Sequence, residues 1–175
     1  MNVDLQPTLH GTLLELRPLS ADDWKPLYAV ASDPLLWEQH PDRDRYQQEV
    51  FREFFRVALA SRAALVAIDR LNGCIIGSSR YHGYYAARRE IEIGWTFLAR
   101  SHWGGAYNGE MKRLMLQHVF QFVDRVLFVI GSENIRSRRA IERIGGTLLG
   151  PQTIRGRENM VYCIGRDGNP LRRSG

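Results

Sequence analysis

Between His102 and Glu110 the sequence reads His-Trp-Gly-Gly-Ala-Tyr-Asn-Gly-Glu. Glycines at 104, 105 and 109 let the backbone approach a ligand closely and adopt φ values that other residues avoid. A helix opening directly behind such a loop offers N–H groups without internal partners and roughly half a positive charge of dipole. Strand, glycine loop and helix together form a recipe for holding phosphate. Three cofactor classes use it. A Walker A loop needs Lys and Ser/Thr after its last glycine, whereas Gly109 is followed by Glu110 and Met111. A dinucleotide site needs G-x-G-x-x-G and an acid after the next strand; Glu133 fits the second condition, but the glycine spacing fails the first. The third class is coenzyme A, which neither mismatch counts against.

Other residues could carry chemistry. His102 flanks the loop, where a histidine is more often exposed than catalytic. His118 shares the apolar face of the following helix and reads as a core histidine. Glu92 alternates with Ile91, Ile93 and Trp95, so the pattern predicts it on the opposite face of a strand. Glu110 falls in the first turn of the phosphate-binding helix. A carboxylate beside pyrophosphate would repel it, so Glu110 reads as structural, facing the dipole or capping the loop. Asn134 stands before a short arginine-rich helix and reads as its N-cap.

The elements that must position these groups follow from periodicity. Residues 11–18 predict a strand. Ser20 predicts an N-cap, with Asp22 and Asp23 in the first turn of a helix that carries Trp24, Leu27, Tyr28 and Val30 and breaks at Ser32-Asp33-Pro34. Val50, Phe54, Val57 and Ala58 predict a second helix from about Tyr46 to Ala60. Strands are predicted at 64–69 and from Cys74 to about Arg80, joined by the Asn72-Gly73 turn. A polar segment of Tyr, Gly and Arg then leads to a strand over 90–98. After the loop come a helix through Met111, Leu114, Met115, Val119 and Phe122, an apolar strand at 126–130, and a helix from Asn134 to Ile144 closed by Gly145-Gly146. Two strands follow, near 147–155 and 158–165. The pattern predicts a mixed α/β (α+β) sheet with helices on both faces. One domain spans 1–165, and the polar tail 166–175 is expected to be flexible.

With 175 residues, 44% hydrophobic and 25% charged, the chain has an ordinary globular balance. No apolar run is long enough to span a bilayer, and Met1 to Pro7 has neither the basic start nor the apolar region of a signal peptide. Cys74 and Cys163 have no metal-ligand spacing and read as core fillers in a reducing, cytoplasmic compartment. The net charge is +5, and Lys25 and Lys112 are the only lysines. That balance fits nucleic acid, an acidic substrate, a phosphate-rich cofactor or a bias of genome composition alike. No aromatic-basic recognition motif is present, so nucleic acid is not an expected partner.

The stretch from Glu90 to Gly150 resembles the core of GNAT acyltransferases, in particular the RimJ/RimL-like branch. The residues that carry the resemblance are Ile93-Gly94-Trp95, Trp103-Gly104-Gly105-Ala106 with Glu110, Asn134-Ile-Arg-Ser137-Arg-Arg139, and Arg143-Ile144-Gly145. It departs from the family's pattern at Ser101, where Gln or Arg is usual, at Ala106 for a second glycine, at Ile141 for a tyrosine, and at Gly146 for a phenylalanine. The resemblance implies the GNAT fold, a mostly antiparallel twisted sheet of about seven strands. It implies that strands 90–98 and 126–130 splay apart around the cofactor arm of acetyl-CoA. Backbone groups at Phe97, Leu98 and Ala99 would pair with that arm, amides at Trp103, Gly104, Gly105, Ala106 and Tyr107 would hold pyrophosphate, and Asn134 and Ser137 would hydrogen-bond the arm. Arg139, Arg100 or Arg138 would meet the remaining phosphate. Glu92 is implied as the base and Ser137 as the acid in direct attack of an amine on the thioester, with backbone donors from strand 90–98 for the oxyanion. Trp24, Trp37, Tyr84 and Tyr85 fall in segments that line the acceptor site. The acceptor would be a protein N-terminus or a small-molecule amine; a homodimer is left open. The alternative is a coenzyme A-binding sensor that has lost catalysis.

Overall fold

The computed structural model describes residues 3–154 and 156–167. Its strands are β1 (Leu9–His10), β2 (Leu14–Pro18), β3 (Ala64–Asp69), β4 (Ile75–Tyr85), β5 (Glu90–Leu98), β6 (Arg125–Gly131), β7 (Thr147–Ile154) and β8 (Arg157–Gly165). The helices are α1 (Trp24–Ala31), α2 (Gln48–Ala60), α3 (Tyr107–Val119) and α4 (Ile135–Arg143). The strands form one sheet in the order β1-β2-β3-β4-β5-β6-β8-β7. Every neighbouring pair is antiparallel except β5 and β6, which run parallel because α3 crosses between them. The eighth strand, beyond the seven expected, is the two-residue β1. Residues 168–175, most of the tail expected to be flexible, lie outside the described residues.

The alternation of apolar residues builds a core on each face. Leu27, Trp37, Phe51, Phe55 and Phe97 pack on the side of α1 and α2. Leu16, Ile91, Ile93, Met111, Met115, Val126, Ile141 and Tyr162 pack on the side of α3 and α4. The Asn72-Gly73 turn joins β3 to β4, with Gly73 at φ +72°.

Three expectations need correcting. The strand expected at 11–18 starts only at Leu14, because the N–H groups of Thr12, Leu13 and Leu14 donate to the Glu110 carboxylate at 2.8–2.9 Å. The strand expected to end near Arg80 continues to Tyr85, since Tyr81 pairs with Ile93 and His82 with Glu92. Cys74 lies exposed ahead of β4, and Cys163 is only partly covered on β8, so neither is a core filler. His118 is half-buried at the rim of its core, its ring nitrogen 2.7 Å from the Asp4 carbonyl.

Candidate active site

β5 and β6 pair only through Glu90, Ile91 and Glu92, opposite Arg125, Val126 and Leu127. Beyond Glu92, β5 stays with β4 and β6 stays with β8 up to Gly131. The parallel strands therefore part, and their carboxyl ends lead to the starts of α3 and α4. A crevice outside the carboxyl ends of parallel strands is where open α/β sheets bind ligands.

Glu92 is the last residue joined to β6, so it stands where the gap opens. Its carboxylate leans over Gly94: a methyl group there would come 3.1 Å from Oε1. Burial pushes the Glu92 carboxyl up to about 7, against the pull of the nearby Arg80 cation. No hydrogen bond or salt bridge to Glu92 is found among the described residues, so desolvation decides its state.

Next to Glu92 the strand carries an extra residue. Ser78 faces Phe97 and Arg80 faces Gly94, two steps on β4 against three on β5. Trp95 takes the strain with φ +51°. The bulge flips the alternation, which corrects the expected placement of Trp95 beside Ile91 and Ile93. Trp95 instead shares the α2 side with Arg80, whose guanidinium carbon is 4.3 Å from the ring centroid, and with His82 at 4.9 Å. Thr96 turns to the α3 side, where its hydroxyl meets Ser79 at 2.7 Å and the ammonium of Lys112. Lys112 is 3% exposed, and burial pushes its pKa down to about 7.

The backbone groups at the end of β5 are not equivalent. The Ala99 N–H donates to the Ile76 carbonyl, and the Ala99 carbonyl accepts from His102. Alternation then points the Phe97 backbone toward β4, and its side chain is buried against Trp37 at 5.2 Å. Phe97 and Ala99 are thus spent within the fold, contrary to expectation. Leu98 alone of the three turns its backbone to the gap, and its carbonyl already accepts the Trp103 indole N–H at 2.8 Å.

The loop itself is open. Gly104 has φ +71°, and added methyl groups at Gly104, Gly105 and Gly109 would meet nothing within 4 Å. The first helical bond runs from Glu110 N–H to Ala106, leaving the N–H groups of Tyr107, Asn108 and Gly109 for a ligand. Asp69 anchors this loop from the end of β3: its carboxylate accepts the Tyr107 hydroxyl at 3.2 Å and lies 3.3 Å from His102 Nε2. His102 also contacts Ser101 Oγ at 2.9 Å, so it is an anchored and partly buried group instead of the exposed one expected. Glu110 holds the other side of α3 through its three backbone contacts. Such an open cradle, with donors at a helix start, fits a coenzyme A pyrophosphate.

Across the gap, Asn134 is buried and caps α4, its Oδ1 accepting from Ser137 N–H at 3.2 Å. Ser137 is half-exposed in the first turn, and no hydrogen bond links it to Glu92. Arg138 donates to the Tyr162 hydroxyl and the Ser132 carbonyl, and Arg100 to Asp33, so both are held by the fold. Arg139 is exposed. Arg136, not singled out in the sequence, crosses the gap: its guanidinium lies 3.8 Å from the Trp103 ring centroid and donates to the Leu36 carbonyl. Its signal was a cation two residues after the cap. Ile141 and Gly146 depart from the family pattern together, because Ile141 Cγ2 fills the space a side chain at 146 would need. Trp37 is core, with its indole N–H on the Ala31 carbonyl, and Trp24 packs against Tyr28 and Phe55. Tyr84 and Tyr85 are exposed at the far end of β4. A cavity of about 310 Å³ lined by His40, Pro41, Gly131 and Asn134 adjoins the α4 side of the gap. A wider cleft of about 820 Å³, between α1 and Ala99–Ser101, lies away from Glu92.

The sequence matches the Acetyltransferase (GNAT) domain family over residues 14–147, and the chain belongs to that family. No curated protein matches it. Among solved structures, it is similar to a GNAT-family acetyltransferase from Bacillus anthracis, with TM-score 0.77 and 20% identity over 92% of this chain and 99% of the other. A GCN5-related N-acetyltransferase from Brucella melitensis gives TM-score 0.78 and 22% identity over 93% and 80%. Mycobacterium smegmatis RimJ in complex with CoA-disulfide gives TM-score 0.70 and 20% identity over 97% and 92%. These likenesses establish the fold.

Proposed function

We propose that the chain moves the acetyl group of acetyl-CoA directly to an amine, with both substrates held at the parting of β5 and β6. The observation that carries this reading is Glu92, the last residue paired across that parting and a carboxyl raised to about 7 by burial. A base so tuned exchanges protons near neutral pH. An acceptor ammonium, with a pKa of roughly 8–10, has a proton to lose. Acetyl-CoA supplies the acyl thioester. In this reading the amides from Gly104 to Tyr107, with the free N–H groups of α3, hold its pyrophosphate, whereas the Trp103 N–H, expected among them, is spent on the Arg100 carbonyl at 3.1 Å. Leu98, Asn134 and Ser137 bound its arm, Ser137 hydrogen-bonds or protonates the sulfur, and Arg139 meets the remaining phosphate. N–H groups on the open edge of β5 stabilise developing negative charge.

The acceptor in this reading is a protein N-terminus, as the RimJ/RimL-like resemblance implies, or a small-molecule amine, in a cytoplasmic setting. No described helix is long and apolar enough to cross a membrane. A cofactor-binding module without catalysis is the weaker reading, because Glu92 stands half-buried and, among the described residues, unpaired where a passive site needs no carboxylate. An amine panel with acetyl-CoA, read by thiol release, tests the proposal. Turnover that survives both Glu92→Gln and Ser137→Ala unchanged would remove the assigned roles.

A further inference from the structure

Arg80 lies in the middle of β4, opposite Gly94, on the side covered by α2. The residue is 5% exposed, and its Nε is sealed from solvent without a hydrogen-bond partner. Among the described residues its guanidinium makes neither a hydrogen bond nor a salt bridge within 4.0 Å. Glu92 is near enough to be felt electrostatically, yet does not pair with it. What Arg80 does contact is aromatic: Trp95 at 4.3 Å and Phe54 at 5.7 Å from the ring centroids. Its neighbour Arg45 shows the ordinary arrangement, over the same Phe54 at 4.7 Å but neutralised by Asp42 at 2.6 Å.

A buried cation without an anion is costly. Ring faces recover part of that cost but satisfy none of the five N–H donors. Burial and Arg45 push the Arg80 pKa down to about 10, which leaves it charged at neutral pH. Unmet donors in a fixed planar fork suit a carboxylate, which accepts two parallel bonds. The adjacent Glu92 carboxylate disfavours a dianion, whose second charge it would repel. Gly94, opposite Arg80 and beneath the Glu92 carboxylate, keeps the space between the two groups clear of side chain.

We propose that Arg80 docks a carboxylate of the substrate whose reacting atoms lie at Glu92, so that the site serves acid-bearing substrates over plain amines. The proposal rests on the acetyl-transfer reading and specifies its substrate class. The carboxylate has two sources, an amine acceptor that is also an acid or a dicarboxylic acyl donor.

Matched pairs distinguish them: β-alanine against propylamine with acetyl-CoA, and succinyl-CoA against acetyl-CoA with propylamine. Thiol release on the full chain is measured for the unaltered protein, Arg80→Met and Arg80→Lys, alongside calorimetric binding of β-alanine and succinate in the presence of CoA. In at least one pair the acid member is expected to lead by tenfold or more in kcat/KM. Arg80→Met should bring the ratio to within twofold, and Arg80→Lys, which keeps charge but loses the fork, should lie between. Arg80-dependent binding without any thiol release would support the docking site and sink the transfer reading. Thiol release with no acid preference in either pair, or a preference that survives in Arg80→Met, would overturn the docking site and leave the transfer reading standing. Absence of both binding and preference would also overturn it.

Discussion

Three charged side chains near the parting of the strands, Glu92, Arg80 and Lys112, have their pKa values set chiefly by burial. For Glu92, burial sets a working range: the carboxyl is ionised above about pH 7 and protonated below. The rate should climb with pH up to about 7 on account of this group, and Glu92→Gln should erase that limb and lower kcat roughly 100-fold or more. A pH–rate profile of both proteins checks it. Lys112 gives a stability signature with the sign reversed from a paired lysine. Its folded pKa, pushed down to about 7, lies below its unfolded value. Between about pH 7 and 10.5 the unfolded chain therefore binds the extra proton, so stability rises with pH across that window and is flat below it. Lys112→Met should remove this slope in urea unfolding at pH 7 and pH 9. Glu92 was legible as a strand glutamate off the apolar face, and the role proposed for it is implied only by the family resemblance. The isolation of Arg80 and the burial of Lys112 were not legible, because a charge inside a strand or among Met111, Leu114 and Met115 does not reveal whether anything neutralises it.

At the level of elements, two carboxylates fix the glycine loop and the helix behind it. Asp69 ties down Tyr107 and His102, and Glu110 takes three N–H groups from residues 12–14. Burial alone would raise the Glu110 pKa, but those N–H groups and Arg113 outweigh it and hold it below the usual value. Its contribution is present at neutral pH and is lost as pH falls through the acid range. Glu110→Ala should cost about 2 kcal/mol in chemical denaturation at pH 7. Gly104→Val should cost about 1–2 kcal/mol through its left-handed backbone and crowd the cradle. The loop and the helix behind it could be read from residue order; Glu110 could be read as structural, but not as the acceptor for the N–H groups of residues 12–14, nearly a hundred residues away. The bulge at Trp95 could not, because its positive φ falls on a residue that avoids such angles. That one extra residue decided which backbone groups face the gap, and so corrected Phe97 and Ala99.

Across the whole molecule, apolar periodicity was sufficient to order the strands and helices and to place cores on both faces. Pairing was less accessible: β6 leaves β5 after three residues because β8 holds it along its full length, a contact between segments some thirty residues apart. That parting brings the starts of α3 and α4 to one end of the sheet, so the proposed coenzyme A site would be a property of the whole fold. Calorimetric titration of the full chain with acetyl-CoA tests this most directly. Saturable binding is expected, weakened tenfold or more by Gly104→Val while that variant still melts cooperatively. No heat at high-micromolar acetyl-CoA, or equal affinity in the variant, would contradict the account.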